Sequence, residues 1–189
     1  LSNSVTEIVL NSNADLEYHK LEQESEKLFH IDTTQVNQSA NSRFLSSSVA
    51  IDGGLIRNNL NVILNGEHSD CTLNGFYLAS GNEHVDNQTL IEHPKPHGTS
   101  RQVYKGILAG KSTGVFSGKI LVHQDSQKTD ASQINKNLLL SKDATINTKP
   151  QLEIFADDVK CVHGAAVGQL EEDAIFYLKT RGLDEQTAS

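Results

Sequence analysis

Short runs of β-favouring residues fill the chain from Leu1 to about Pro150. Among them are EIVL, KLFHID, RFLSSSVAI, LNVILN, GFYLA, QVYKGILAG and GVFSGKILVH, and Gly, Asn, Ser and Asp separate them. No helical periodicity persists across this part of the chain. The pattern therefore predicts a mostly β domain of many short strands.

The spacing of these runs leaves the topology open between a sandwich, a closed barrel and a solenoid. Asn65-Gly66 and Asn74-Gly75 are typical of hairpin turns, but the same dipeptides also serve as corners of stacked coils. Residues 106–110 and 114–118 alternate small and apolar residues with Gly at their ends, which suits coils as well as hairpins. No strict repeat period is present.

The pattern changes after Gly168 and predicts a helix. Acidic residues fill its first turn and basic residues its last turn, before Gly182. Its apolar face is formed by Leu170, Ala174, Ile175 and Leu178. We expect residues 1–167 to form the β core and 168–189 to begin a larger helical region. Because the chain contains no methionine, we also expect it to be a fragment that starts inside a longer protein.

The amino-acid composition and net charge limit the kinds of molecule that this protein is expected to bind. The 189 residues are 37% hydrophobic and 21% charged, which suits one globular domain. A net charge of -8 disfavours nucleic acid and anionic membrane as partners. No apolar run approaches the roughly 20 residues of a membrane span, and no signal peptide precedes the core, so we expect a cytoplasmic protein.

The two cysteines are too few for a resident cluster. Cys71 and Cys161 stand 90 positions apart without a CxxC pair, so the chain cannot supply four thiolates to a zinc or iron–sulfur site. Any cluster that this chain handles must be shared with another subunit. Cys71 is expected to be a core residue.

Two segments carry candidate metal ligands. The first holds His84, Asp86, His93 and His97, of which His84 and Asp86 would share one face of a strand. The alternative is that these side chains are structural, because four such residues need not converge. We favour this structural interpretation.

The second segment is Cys-x-His, where Cys161 and His163 would project from one strand face. A thiolate beside an imidazole can bind a soft metal, accept sulfur or act as a nucleophile. The alternative is a buried cysteine beside a structural histidine. Neither a GxSxG elbow nor a nucleotide-binding GxxxxGK[ST] or GxGxxG motif occurs, so any ATP must bind to another subunit.

The longer motifs resemble a known family. They are RNNLNVILNGE, FYLASGNEHVDNQTLIEH, PHGTSRQVYKGILAG, GVFSGKI, QKTDASQINKNLLLS and PQLEIFADDVKCVHGAAVGQLEEDAIFYLKTRG, and they cover most of the chain from about Arg57 onward. Together they closely resemble the SufD branch of the SufB/SufD family, which belongs to the SUF system of iron–sulfur cluster assembly.

The resemblance implies a right-handed parallel β-helix followed by C-terminal helices, with a helical domain expected before Leu1. It implies a scaffold without catalytic activity, paired through the β-helix with SufB and through the C-terminal helices with the ATPase SufC. A homodimer is expected when the chain is alone. Bacterial cytoplasm is the expected compartment, and plastids carry the same system.

The resemblance also assigns site residues. His163 matches the histidine of the family's Cys-x-His-Gly motif, and it is expected to bind or position iron at the SufB interface. Cys161 would bind metal or relay sulfur there. The cluster or iron would be transient and shared with SufB, with none held by the isolated chain. The residues expected to begin the SufC-docking region are Leu170, Ile175, Phe176, Leu178 and Arg181.

Two other hypotheses compete with this one. A cupin-like metal enzyme would use the four residues around His84, but relatives commonly have a histidine where this chain has Asn87. A purely architectural solenoid would tolerate His163→Ala without loss of cluster assembly.

Overall fold

A computed structural model describes residues 1–169 and 172–184. Twelve strands precede one short helix in it. The strands are β1 (Ser2–Leu10), β2 (Asp15–Glu22), β3 (Phe29–Gln38), β4 (Arg43–Ile51), β5 (Leu55–Leu64), β6 (Asp70–Ala79), β7 (His84–His93), β8 (Thr99–Leu108), β9 (Thr113–Val122), β10 (Asp130–Leu139), β11 (Thr145–Ile154) and β12 (Lys160–Gln169), and the helix is α1 (Glu172–Thr180). The predicted helix is confirmed, and the strands run two residues past the expected boundary at 167.

The strands stack into two parallel sheets. Sheet A has the order β1-β3-β5-β7-β9-β11 and sheet B the order β2-β4-β6-β8-β10-β12, so each coil contributes one strand to each sheet. This is a β-solenoid of about six turns, which confirms the fold expected from the resemblance. Phe29 pairs with Leu55 but Thr113 pairs with Thr145, so the coil length varies from 26 to 32 residues. This variation hides the repeat from the sequence.

Alternate residues of each strand face the space between the two sheets, which we call the lumen. Its largest apolar side chains include Phe44, Ile56, Leu64, Phe116 and Ile120, each fully buried. Apolar surface removed from water contributes about 25 cal/mol per Å² to the free energy of folding, so this packing is the main contribution to stability. Polar side chains also enter the lumen, and those that are fully buried include Gln38, His93, Gln102, Gln133 and Asn135.

Glycine and tyrosine occupy matched positions on neighbouring strands of sheet B. Gly75 of β6 is in register with Tyr104 of β8, and Tyr77 of β6 is in register with Gly106 of β8. A Cβ atom at Gly75 would lie 2.7 Å from Tyr104 Cζ, so only glycine leaves room for the ring. The expectation that Asn74-Gly75 forms a turn is therefore wrong, because Gly75 lies inside a strand. Asn65-Gly66 does lie at a corner, between β5 and β6.

One corner of the solenoid repeats a left-handed residue in successive coils. Asn13, Asn41, His68, His97 and Lys128 all have φ between 56° and 65°. The backbone N–H of four of them, all but His68, donates to a carbonyl of the following coil at 2.7–3.0 Å. Asn and His are enriched among the non-glycine residues that adopt this conformation, whereas Lys is less usual there.

Candidate functional site: the open end of the last coil

The last coil, made of β11 and β12, ends both sheets. β11 pairs with β9 and β12 pairs with β10, and no other strand among residues 1–169 pairs with either. Each strand therefore has one edge whose N–H and C=O groups are free to pair with an added strand. The site is built on this end.

Cys161 and His163 lie on the lumen-facing row of β12. Their in-register neighbours on β10 are Ala131 and Gln133, which are 1% and 0% exposed. Cys161 is half-buried and His163 is exposed. The row positions that are buried on β4, β6, β8 and β10 are thus more open to solvent on β12, where they carry a thiol and an imidazole two residues apart.

Burial raises the pKa of both cysteine thiols, Cys161 and Cys71, but to different extents. Burial raises the pKa of the Cys161 thiol, the carboxylate of Asp130 adds to this, and the backbone N–H of Ala131 opposes it. Full burial raises the pKa of Cys71 much further. Cys71 lies in the hydrophobic core, as expected from the sequence. Cys161 is the accessible thiol of the chain, held in its neutral form at physiological pH.

The last coil also carries exposed apolar side chains. Phe155 and Val162 are 62% and 61% exposed, and Ile154 and Val167 are also exposed. Exposed large apolar residues grouped in one coil are typical of a surface that another protein covers, and the first coil carries such a group as well, since Val5, Val9 and Leu21 are 68–73% exposed. The open end therefore combines free strand edges, apolar side chains and two potential metal ligands.

The four residues of the first candidate segment do not converge. His84 and Asp86 share the outer face of β7, where Asp86 forms an ion pair of 2.8 Å with Arg57. His93 faces the lumen, and its Nε2 lies 3.0 Å from Ser100 Oγ. His97 lies in the next turn. Within residues 1–169 and 172–184, no group of three or more His, Cys, Asp or Glu residues is placed to hold a metal.

His97 instead stacks on a histidine of the preceding coil. The ring centroids of His68 and His97 are 4.7 Å apart and the rings are inclined by 14°. The distance equals the spacing of neighbouring strands, so the stack follows from the corner positions that both residues occupy.

The helix α1 leaves its apolar side chains in solvent. Phe176 is 68% exposed, and Tyr177 and Leu178 are also exposed, while Ile175 is half-buried. Arg181 donates to Tyr177 Oη at 2.9 Å and lies over the same ring. Leu170 lies outside the described residues. Of the helices in the described ranges, none has the length and apolar character needed to cross a membrane.

The first coils contain a buried charged cluster that the sequence analysis missed. Lys20 Nζ lies 2.9 Å from Asp32, 3.0 Å from Glu22 and 2.7 Å from Asn58 Oδ1. Burial raises the pKa of Asp32, but hydrogen bonds from Ser4, Lys20 and Thr34 outweigh it, so the pKa lies below its usual value. The sequence did contain a signal for this cluster, because Lys20 and Glu22 lie an even number of residues after apolar Leu16 and therefore share its face of β2.

Comparisons with known proteins bear on the whole chain. The family model described as SUF system FeS cluster assembly, SufBD core domain matches residues 1–189. The iron-sulfur cluster assembly protein SufD of Escherichia coli is 41% identical over 177 residues, which are 94% of this chain and 42% of that protein. A SufBD family protein of Synechocystis is 40% identical over 187 residues, which are 99% of this chain and 41% of that protein.

A third relative is the chloroplastic protein ABCI7 of Arabidopsis thaliana, which is 40% identical over 188 residues, 99% of this chain and 40% of that protein. The chain thus spans about two fifths of the length of these relatives. The family model covers every residue of the chain, and the solenoid agrees with the fold that the motifs implied. The chain belongs to the SufBD core family of the SUF iron–sulfur cluster assembly system.

Proposed function

We propose that the chain is the β-solenoid core of a scaffold subunit, without catalytic activity of its own, on which SUF iron–sulfur clusters are assembled. The observation that carries this proposal is the open lumen-facing row of β12, which presents Cys161 and His163 at a strand edge. The cluster, or its iron, is cargo shared with a partner. The compartment would be bacterial cytoplasm or a plastid, in line with a relative named as chloroplastic.

The partner at this end would be SufB, joined by strand addition. Lys160 N–H donates to Thr129 O of β10 at 2.9 Å. Because N–H groups alternate in direction along a strand, those of Cys161, His163 and Ala165 face the free edge. A second solenoid can pair with them and bury Phe155 and Val162 at the same time. In the absence of SufB, a second copy of this chain is expected to use the same edge.

His163 would be the iron ligand at that interface. Neutral imidazole is a common ligand of iron, and thiolate ligands are typical of iron–sulfur clusters. Cys161 would be ionised by binding metal, because its thiol is neutral otherwise. Two ligands do not complete a cluster site, so the remaining ligands must come from the partner.

Helix α1 would begin the surface that binds the ATPase SufC. Its exposed Phe176 and Leu178 offer apolar anchors of the kind that a groove on a partner accepts. Replacing Phe176 with Asp in the full-length protein should weaken SufC binding and leave SufB pairing unchanged. SufC binding at wild-type affinity would contradict this assignment.

The experiment that tests the site compares two histidines on opposite edge strands of sheet B. Full-length wild type, His163→Ala and His19→Ala are each assembled with SufB and SufC, and iron and cluster absorbance are measured in complexes shown to be intact. His19 is an exposed residue of β2, far along the sheet from β12. We expect iron to be lost in His163→Ala alone. Equal iron in all three complexes would leave the chain an architectural subunit.

Strand addition is tested by proline scanning of β12. Ala165→Pro removes an N–H that faces the free edge, and the preceding Gly164 tolerates the proline ring. Ala166→Pro removes an N–H that faces β10. We expect Ala165→Pro to fold but fail to co-purify with SufB, Ala165→Ser to co-purify normally, and Ala166→Pro to be destabilised. Normal pairing by folded Ala165→Pro would refute strand addition.

A further inference from the structure

A ladder of buried amides crosses the lumen toward the open end. Gln102 Nε2 donates to Thr89 Oγ1 at 2.7 Å, and Gln133 Nε2 donates to Gln102 Oε1 at 2.7 Å. Gln102 and Gln133 are fully buried and occupy the same register position on β8 and β10. Ladders of this kind form where amides stack in register along parallel strands, each donating to one neighbour and accepting from the other.

The ladder ends on an unused acceptor. Gln133 Oε1 is buried and has no hydrogen-bond partner. The donor and acceptor of a carboxamide lie on opposite sides of its carbon atom. Since Gln133 Nε2 faces the preceding coil, its Oε1 is directed toward the next one. An orphaned buried acceptor of this kind costs about 1–3 kcal/mol, so it marks a place where a donor is expected.

The next position of the ladder belongs to His163. β10 and β12 pair in register, with Gln133 directly beside His163. The imidazole ring is the one side chain of the lumen-facing row of β12, between Cys161 and Val167, that carries an N–H donor. His163 is exposed and in register with Gln133, so we infer that its ring can turn about its side-chain bonds to bring that donor to Gln133.

We propose that Gln133 is a positioning residue whose amide oxygen accepts a hydrogen bond from one ring nitrogen of His163, so that the other nitrogen is held unprotonated and directed at the iron or at the partner's ligands. This proposal rests on the proposed function for the use of that second nitrogen. The hydrogen bond itself does not depend on iron. Outer hydrogen bonds of this type typically change metal affinity by about 10–100-fold.

The test reads the tautomer of His163 directly. Full-length protein labelled with ¹⁵N-histidine is studied by two-bond ¹H–¹⁵N correlation at about pH 8.5, where an ordinary imidazole is neutral, and His163→Ala assigns the signal. We expect a single tautomer for His163, whereas an imidazole without a fixed partner gives a mixture of both tautomers. A mixture at His163 in the wild-type protein overturns the proposal without any further variant.

Three variants separate positioning from stability. Gln133→Leu removes the acceptor and should give His163 a tautomer mixture. Gln133→Glu keeps an acceptor oxygen and should restore a single tautomer. Gln38→Leu removes an equally buried amide that bonds Asp70 O at 2.9 Å in an early coil, and it should leave the His163 signal unchanged. A single tautomer that survives in Gln133→Leu would refute the role of Gln133.

Iron measurements then distinguish the two proposals. In intact complexes with SufB and SufC, Gln133→Leu should weaken iron binding about 10–100-fold, and Gln133→Glu should recover part of it. If His163→Ala retains its iron while the tautomer of His163 depends on Gln133, the proposed function fails and the positioning contact stands. If His163→Ala loses its iron while the tautomer of His163 is unaffected by Gln133→Leu, the positioning contact fails and the proposed function stands.

Discussion

The fit between Tyr77 and Gly106 makes a sharp prediction about stability. Tyr77 is 1% exposed, and its ring lies against Gly106 of the next coil. Its hydroxyl group donates to Asn137 Oδ1, which would itself lie 2.6 Å from a Cβ atom at position 106. Gly106→Ala therefore forces the buried ring and its buried hydrogen-bond partner to move together.

The expected cost has two parts. One extra methyl group in a close-packed core costs about 1–3 kcal/mol. Loss of the buried Tyr77–Asn137 hydrogen bond adds about 1–3 kcal/mol. Alanine recovers about 0.4–1 kcal/mol by restricting the unfolded chain. We expect Gly106→Ala to lower the free energy of unfolding by about 1–5.5 kcal/mol, which corresponds to at least about 2 °C in Tm for a domain of this size.

The assay is urea unfolding of the wild type, Gly106→Ala and Gly164→Ala. A Cβ atom at position 164 would have no neighbouring atom within 4 Å, so alanine there should be neutral or slightly stabilising. Tyr77→Leu makes space for the methyl group, so the combined cost of Gly106→Ala and Tyr77→Leu should be less than the sum of the single costs. Equal stability of the two glycine variants, or strict additivity, would refute the steric explanation.

Three further predictions concern buried ionisable groups. Burial lowers the pKa of His93 from 6.5 to about 4, so the folded protein binds fewer protons than the unfolded chain between these values. The free energy of unfolding should therefore fall on acidification from about pH 6.5 to about pH 4, by about 1.4 kcal/mol per pH unit. His93→Gln should show a shallower fall when urea unfolding is measured across this pH range. An identical slope in the two proteins would contradict this prediction. Lys20→Met removes the ammonium group from between Asp32 and Glu22, although His30 Nε2 stays 3.5 Å from Glu22, and it should cost about 3–5 kcal/mol at neutral pH. Exposed Lys136→Met should cost little, and similar costs in urea unfolding would count against the cluster. Iodoacetamide should alkylate Cys161 in the folded protein and Cys71 only after unfolding, as read by peptide mass spectrometry; early labelling of Cys71 would contradict its burial.

Local pattern predicted the elements of this fold better than their arrangement. The runs around Leu108 and Val115 were assigned correctly as strands, because β-branched and apolar residues separated by Gly favour them. The solenoid itself followed from the resemblance, since coils of unequal length leave no repeat to detect. The place of Gly75 inside a strand does not follow from the dipeptide Asn74-Gly75, because a glycine that makes room for a ring in the next coil has the same local sequence as a turn.

At the candidate site, too, the sequence predicted local features better than the surroundings in which the fold places them. The shared strand face of Cys161 and His163 follows from their spacing and is what the structure has. Their exposure does not follow from it, because the same spacing in an earlier coil would bury both residues beside a further strand. The role of Gln133 was also out of reach, since its partners, Gln102 and Thr89, are distant in sequence and meet through stacking alone.

Buried polar atoms without hydrogen-bond partners lie along the whole described solenoid, and what sets the last coils apart is that one of these atoms neighbours an exposed candidate ligand. At the first coils, Lys20 Nζ lies within 3.0 Å of two carboxylates, but His30 Nδ1 and Gln38 Oε1 are buried without hydrogen-bond partners. At the last coils, Gln133 Oε1 and Thr148 Oγ1 are buried without hydrogen-bond partners, and His163 stands in solvent beside the first of them. A partner that covers β12 excludes water from this row and strengthens each hydrogen bond that forms there. Binding energy at this end would therefore order the same side chains that hold the iron, which links assembly of the subunits to assembly of the cluster.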